Sequence, residues 1–425
     1  MIKSLRLERF KNFRDATLQL GPLTVVVGTN ASGKSNLRDG FRFLHGMSRG
    51  YSLAEIIGEK YVEGGILQWK GIRGGTREVA LYGEKDFGLT TEAEIETGSP
   101  LFPSIAKHFI QVGVGEPVTP PYVTRESFRW AWNTLFDSHD EYDPPEQEGH
   151  PYIFVRLTKA GYGNRKLGKR LRFLDNQSVL SQFRDRKEVN KSHRDSANAF
   201  LSSLESMRFL DLSPEAMKLP SVPGQTILGD RGENLSSVLY SICRDSQAKQ
   251  AVTQWVRELT PLDVVDFDFV PDQTGRILLT LIEANGERTS AYSASDGTLR
   301  FLTLIAALMG PDTARFYFLE EIDNGIHPTR LFLLLQLIEQ CAEERSIQIV
   351  TTTHSPQLLA MLSEKARKHV SLVYRAQGTT EARIVPVSQI PQAETLFQSQ
   401  NLGRLLESGW LEDAVSFSRE GVSQE

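Results

Sequence analysis

The sequence predicts an α/β fold, with a mainly parallel sheet covered by helices. Three observations predict it. The short β-branched run Leu23-Thr-Val-Val-Val27 leads straight into GTNASGKSN and then into a helical apolar pattern at Leu37, Phe41 and Leu44. From Ile277 to Tyr374, strand-like and helix-like segments alternate. One of those strands, in FYFLEEIDNGIHP, ends in the adjacent carboxylates Glu320 and Glu321, with Asp323 two residues further on. Acids at the carboxyl end of an apolar strand point to a positive group at that end, most simply a metal ion bound to a phosphate.

Taken in order, the N-terminus alternates in strand fashion at Ile2, Leu5 and Leu7 and again over 16–20, and Leu23–Val27 has the composition of a strand buried on both faces. Residues 60–100 are Gly-rich and alternating, which predicts antiparallel strands and turns. Residues 100–151 hold many prolines and the acidic cluster DSHDEYDPPEQEG, which predicts an irregular surface insertion. Residues 178–211 lack Pro and Gly and are expected to be helical, as is 233–260; neither sustains a heptad repeat, so a long coiled coil is excluded. Then follow a strand at Ile277–Ile282, a helix at Thr298–Met309, a strand ending at Glu320, a helix from Pro328 to about Cys341, a strand at Ile347–Thr352, a helix from Pro356 and a strand at Val370–Tyr374. The expected organisation is an N-terminal lobe (1–100), an insertion, irregular then helical (101–260), a C-terminal lobe (261–390) and a tail (391–425).

The 425 residues allow one large domain or two to three ordinary ones. No run of eighteen apolar residues occurs, so no transmembrane helix is expected, and MIKSLRLERFKNF lacks the continuous apolar core of a secretory signal. Two cysteines, Cys243 and Cys341, argue against a disulfide framework or a cysteine-built zinc site, and a reducing, cytoplasmic setting is expected. A net charge of −5 carries no global nucleic-acid signature.

The stretch Gly28-Thr-Asn-Ala-Ser-Gly33-Lys34-Ser35 fits the phosphate-loop pattern in full. Its glycines let backbone N–H groups face the phosphates, and the next helix presents its positive end to the same anion. Gly28, Asn30, Ala31, Ser32, Gly33, Lys34, Ser35 and Asn36 are the expected nucleotide contacts. Lys34 would reach the β- and γ-phosphates and Ser35 would contact Mg²⁺. A phosphate loop needs a second strand that brings a carboxylate to the metal. Glu320 fills that role and Glu321 would polarise the attacking water, although the acids alone read equally well as a cap for the helix at Pro328. Ser295 and Gly297 open an apolar helix and could bind an anion, or form an ordinary cap. His354, at the end of the next strand, could contact the γ-phosphate.

In this order the motifs resemble the ABC-class ATPases of the RecF and structural-maintenance-of-chromosomes group, and more closely the compact ATPases related to the ATPase half of OLD-family nucleases. IKSLRLERFKNFRDATLQLGPLTVVVGTNASGKSN, SDGTLRFL, FLEEIDNGIHP and TTTHSPQLL carry the resemblance, over roughly 1–50 and 285–375. It implies a P-loop fold of ABC/RecF type with an antiparallel β subdomain and a helical insertion, ATP and Mg²⁺ as cofactors, and two chains packed head to tail so that Ser295 and Gly297 act in trans. Asp323 and Asn324 would lie in the loop crossing that interface. A metal-sensing glutamine is implied, with Gln177 the candidate and Gln68 the alternative; Lys11, Asn12, Phe13 and Arg14 lie where the group contacts the base. This chain departs in having Glu at 320 and Asp296 in place of a glycine. About fifty residues follow Tyr374, too few for the Toprim domain of full OLD proteins.

Between 165 and 194 there are ten Lys or Arg (165, 166, 169, 170, 172, 184, 186, 187, 191, 194) against three acids (175, 185, 188). This patch could bind nucleic acid, or form a solvated face paired with the acids at 137–148. The expected function is an ATPase that dimerises around ATP and regulates a separate effector, a nuclease or toxin; the resemblance implies defence against phage as its setting. The alternative is a RecF-like DNA-binding ATPase of repair.

Overall fold

A computed structural model of the chain describes residues 1–95, 104–115, 119–131, 133–139, 151–158, 167–260, 262–375, 378–390, 402–411 and 414. The chain begins as an antiparallel hairpin, β1 (Ile2–Phe10) and β2 (Phe13–Gln19), and continues into β3 (Leu23–Val27). Helix α1 (Lys34–Ser48) and the short α2 (Leu53–Ile57) follow, then the hairpin β4 (Glu59–Val62) and β5 (Ile66–Lys70) and a turn, α3 (Gly75–Glu78). An antiparallel run comes next: β6 (Asp86–Ile95), β7 (Ser104–Gly113), β8 (Tyr122–Trp130), β9 (Asn133–Asp137), β10 (Tyr152–Thr158) and β11 (Leu167–Leu174). Helices α4 (Val179–Gln182) and α5 (Lys191–Glu205) lead to β12 (Met207–Leu210). After α6 (Pro214–Met217), α7 (Leu235–Cys243) and α8 (Ser246–Leu259), a small sheet forms from β13 (Val264–Pro271), β14 (Ile277–Glu283) and β15 (Arg288–Ser290). The last third holds α9 (Asp296–Met309), β16 (Phe316–Leu319), α10 (Pro328–Glu344), β17 (Gln348–Thr353), α11 (Pro356–Met361), α12 (Glu364–Arg367), β18 (Val370–Arg375) and β19 (Ala382–Pro386).

One sheet takes in 14 strands, in the order β11-β10-β9-β8-β7-β6-β1-β2-β19-β18-β3-β17-β16-β12. The end β18-β3-β17-β16-β12 is parallel throughout. From β2 to β11 every pairing is antiparallel, and a single parallel bridge, Ala382 to Phe13, joins the two halves. The antiparallel subdomain expected from the Gly-rich segment is thus an extension of the nucleotide sheet. In the parallel half, alternate side chains feed two separate cores. Val26, Phe316, Phe318 and Val350 pack with α1 and α5, while Val25, Val27, Tyr317, Leu319 and Ile349 pack with α7 to α11. Burial on both faces is why these strands read as unbroken apolar runs.

Two expectations are corrected. The segment 104–137, read as irregular because of its prolines, forms β7, β8 and β9; the prolines lie outside the described strands. Residues 140–150 of the acidic cluster and 391–401 and 415–425 of the tail lie outside the described residues. The helix expected to run to 211 stops at Glu205, and 207–210 is strand β12, paired in parallel with β16. Absence of Gly and Pro cannot separate a short buried strand from a helix end.

A buried polar cluster attaches the helical insertion to the antiparallel half. Glu126 on β8 and His108 on β7 are fully buried, with Nε2 2.8 Å from Oε1. Glu126 also accepts from Ser178 Oγ at 2.7 Å, from the Val179 N–H at 2.7 Å and from the Leu180 N–H at 3.0 Å, so its charge meets the N-terminus of α4.

Helix α1, which positions the phosphate loop, is held by Phe41 against Phe316 and Phe318 and by His45 between Trp69 and Phe209. His45 Nδ1 lies 3.1 Å from the Leu204 carbonyl. Burial, ahead of nearby arginines, pushes its pKa down to about 4. The folded value lies below the ordinary one of about 6.5, so the unfolded chain binds the extra proton. This contribution is present above that ordinary value and is lost as pH falls toward 4, by up to about 3 kcal/mol. Urea unfolding at pH 7 and pH 4 is expected to show that loss, and a His45→Gln variant is expected to show a smaller one.

Candidate active site

All strands of the parallel half point their carboxyl ends at one edge, where open α/β sheets bind ligands. A cleft of about 560 Å³ opens there. One wall is the loop after β3, with Asn30, Ala31, Gly33, Lys34, Ser35 and Asn36; the other carries Asp211, Glu320 and Glu321. Strand β17 lies between β3 and β16, so the walls are two strand spacings apart, about 10 Å.

The loop is shaped by positions where no larger residue fits. A Cβ on Gly28 would stand 2.1 Å from the Val373 carbonyl oxygen. Gly33 has φ 120°, and a Cβ there would meet the Asn12 amide at 2.9 Å. Lys34 Nζ donates to the carbonyls of Gly28 at 2.6 Å and Thr29 at 2.9 Å. Gly33 starts α1 without a side-chain cap, so the first N–H groups of the helix face the loop interior. The buried Ser32 Oγ makes no hydrogen bond within the described residues. Asn12, at the tip of the β1–β2 hairpin, supports the loop from outside: its Nδ2 donates to the Ser32 carbonyl at 3.4 Å and its Oδ1 accepts from Asn36 at 2.7 Å.

On the acidic wall, Glu320 Oε2 accepts from Arg38 Nη1 at 2.9 Å. Glu321 has φ 48°, a left-handed backbone that a glutamate adopts only under constraint. Its N–H donates to Thr352 Oγ1 at 3.2 Å, and its Oε1 lies 3.6 Å from His354 Nδ1. Both side chains are about half exposed. Asp323 accepts from Thr353 Oγ1 at 2.9 Å, which ties the following loop to β17.

Asp211 escapes the sequence reading. The pairing of Leu210 with Leu319 sets it beside Glu320. A signal existed: Met207-Arg-Phe-Leu-Asp211 has the same pattern as Phe316-Tyr-Phe-Leu-Glu320, a four-residue strand closed by an acid. Arg73, Arg300 and Arg375 also line the cleft; Arg300 lies within the SDGTLRFL segment, and nothing in the local sequence marks Arg73 or Arg375. Arg73 donates to Asp39 Oδ2 from Nη2 at 2.9 Å and from Nε at 3.1 Å, which draws the segment after β5 onto α1.

Other expected contacts are not at the cleft. Gln177 Nε2 donates to the Gly50 carbonyl at 2.6 Å, at the end of α1 remote from Ser35, about 20 Å away by helical rise. Gln68 is exposed on the β5 hairpin. Neither glutamine lines the cleft, where Asp211 occupies the strand end next to Glu320. Of the four residues expected near the base, only Asn12 lines the cleft. Phe13 is buried in the core, and Arg14 pairs with Glu381 and Glu84. Lys11 lies 3.9 Å from Asp39, and burial lowers its pKa. Ser295 caps α9, accepting from the Thr298 N–H at 3.2 Å, and is exposed outside its own chain's cleft. Gly297 abuts the Gly325 carbonyl, so a Cβ there would stand 3.0 Å from it.

These residues fit a magnesium-bound triphosphate. The loop holds a buried hydroxyl at Ser32 without a hydrogen-bond partner among the described residues, has close-approach positions only glycine can fill, and shares one cleft through Ser35 with the carboxylates Asp211 and Glu320.

The chain matches the sequence family described as "AAA domain, putative AbiEii toxin, Type IV TA system" over residues 23–105 and 116–360. An "ATP/GTP phosphatase" of Helicobacter pylori is 18% identical over 380 residues, which is 87% of this chain and 89% of that protein. Among solved structures, the SMC head bound to the C-winged helix domain of ScpA aligns with a TM-score of 0.51 at 12% identity, over 90% of this chain and 97% of that one. A Smc head with an extended coiled coil, bound to the C-terminal domain of ScpA from Pyrococcus furiosus, aligns at 0.46 and 12%, over 94% and 98%. The first of these likenesses is one of fold: a P-loop ATPase built on a large mixed sheet with flanking helices. The family match takes in both walls of the cleft, from the loop after β3 to His354, and the chain belongs to that AAA-domain family.

Proposed function

We propose that this AAA-domain ATPase turns over ATP in the cleft between the Gly28–Ser35 loop and the acids at 211, 320 and 321, as a head-to-tail dimer that regulates a separate effector. The observation that carries the reading is that one cleft unites these segments across β17. Lys34 and the N-terminal N–H groups of α1 bind phosphate oxygens. Ser35, Asp211 and Glu320 are the residues that would hold Mg²⁺, which when bound offsets phosphate charge and stabilises the leaving oxygen. Glu321 is the general base, set at its angle by the left-handed backbone and by Thr352. His354, 3.6 Å from Glu321, is the candidate for contact with the γ-phosphate.

Ser295 and Gly297 lie at the surface next to the 321–326 loop and outside their own cleft. That placement supports their use on a second copy's nucleotide, with Asp323 and Asn324 at the junction. The family's description as a "putative AbiEii toxin" of a two-part system supports a partner protein; that this partner is an effector, kinship to the ATPase half of OLD nucleases and a role against phage in the cytoplasm belong to the same proposal. No helix among the described residues is long and apolar enough to cross a membrane.

Glu321→Gln is expected to bind ATP, to run as a dimer in its presence on size exclusion, and to lose at least about a hundredfold in turnover. Lys34→Ala is expected to lose ATP binding by calorimetry. Ser295→Arg is expected to be inactive alone and to regain turnover when mixed with Lys34→Ala. Full turnover by protein shown to be monomeric contradicts the trans arrangement.

A specific surface favours a second reading, contact with nucleic acid. Register sets Tyr152, Phe154 and Arg156 opposite Leu174, Arg172 and Arg170 on the outer face of β10–β11. Arg172 lies over the Tyr152 ring at 4.3 Å and Arg170 over Phe154 at 4.4 Å. Alternating rings and guanidinium groups suit bases and phosphates of a single strand. Arg165 and Lys166 lie outside the described residues. Changing Lys169, Arg170 and Arg172 together to Gln is expected to weaken binding of a single-stranded oligonucleotide at least tenfold and to flatten its salt slope by about two. Unchanged binding removes this reading.

A further inference from the structure

Glu320 is engaged within its own chain. Arg38, its partner, is 18% exposed and Glu320 31%, so the pair is largely removed from water and not a loose surface contact. Arg38 follows Lys34 by four residues on α1 and therefore stands one turn behind the phosphate-binding lysine, on the face turned to the acidic wall. Arg42 continues the stripe a turn further, 4.8 Å over the Trp69 ring and 5.9 Å over Phe209 of β12. A guanidinium stays charged at any pH the fold survives. The acidic wall thus carries a built-in counter-ion on Glu320.

We propose that Arg38 is a positioning residue that makes divalent-cation binding depend on nucleotide, by competing with the cation for Glu320. This rests on the reading of the cleft given above. Asp211, Glu320 and Glu321 line one wall from adjacent strand ends; no three acids among the described residues are grouped so as to hold a metal ion by themselves, but each carboxylate draws a divalent cation by its charge. Arg38 holds one Glu320 oxygen and adds a unit of positive charge beside the others. A cation arriving alone must share or displace that contact and meets the charge of Arg38. A cation arriving with a triphosphate brings its own negative ligands, and the repulsion is offset. The strongest consequence is in the nucleotide-free protein, where the competitor acts unopposed.

The test is Mn²⁺ binding, read by electron paramagnetic resonance, on the full chain with and without a non-hydrolysable ATP analogue. Arg38→Met is expected to tighten Mn²⁺ binding to nucleotide-free protein by roughly tenfold or more, as expected for removing one nearby like charge. It is expected to change binding much less with the analogue present. Arg38→Lys, which keeps the charge, is expected to stay near wild type. In a Glu320→Gln background the Arg38→Met gain should shrink, because the contested carboxylate is gone and only the like-charge repulsion remains to be relieved. Arg38→Gln, with a donor but no charge, is the second variant should Arg38→Met fail to fold, and the same tightening is expected of it. Unchanged or weaker Mn²⁺ binding in the folded uncharged variant overturns the proposal. Failure of the wild type to bind Mn²⁺ even with the analogue overturns instead the assignment of the cleft.

Discussion

Thr351 pairs with Val25 on one side and with Leu319 on the other, and this double register determines where the chemistry sits. Because all three strands run parallel, the loop after Val27 and the acids after Leu319 emerge at the same edge. Had either pairing been antiparallel, one of them would face the opposite end of the sheet. The same logic adds β12: Leu210 beside Leu319 brings Asp211 to that edge as well. Parallel pairing needs long connections on both faces. Helices α1, α9, α10 and α11 supply them, and the walls of the cleft lie hundreds of residues apart because the antiparallel strands and the helical insertion come between β3 and β16 in the chain.

The site is organised by opposed charge and by local strain. Lys34, Arg38 and Arg42 recur at helical spacing along α1, opposite Asp211, Glu320 and Asp230. Burial raises the Asp230 carboxyl while Arg208, Arg42 and Arg38 draw it back. Two residues that line the cleft, Ala31 and Glu321, have left-handed backbones without being glycine. They sit on opposite walls, each at the first bend after a buried strand, and surrounding structure must hold both in place. Thr352 does so for Glu321, and the Asn12–Asn36 contact braces the other wall.

Much of this was legible in the chain. The phosphate loop, the acidic strand and His354 stood out because each is a short apolar run followed at once by polar chemistry. Strands β3, β16, β17 and β18 were found because burial on both faces leaves an unbroken apolar signal. Asp211 was missed because four residues of strand adjoin a helix with no Gly or Pro to mark the break. Strands β7 to β9 were missed because one face is solvated, so polar residues and flanking prolines gave the appearance of a loop. Arg38 carried no signal, since a cation on the polar side of a helix is commonplace; only the fold shows that this side faces a carboxylate. Gln177 suits the family pattern only by residue type and by its place between the two halves, and the fold sets it at the far end of α1.

Continuity of the large sheet has a mechanical meaning. From β3 to β11 there are ten strand-to-strand steps in one hydrogen-bonded lattice. At about 4.8 Å and roughly 20° per step, the outermost strand lies on the order of 48 Å along the sheet, twisted through about 200°. Among the described residues the lattice is thinnest at the Ala382–Phe13 bridge, the third of those ten steps, and beyond it every pairing out to β11 is antiparallel. A small rotation of the nucleotide end would therefore be carried outward as the swing of a stiff lever, and its amplitude would be greatest at the arginine- and tyrosine-bearing tip.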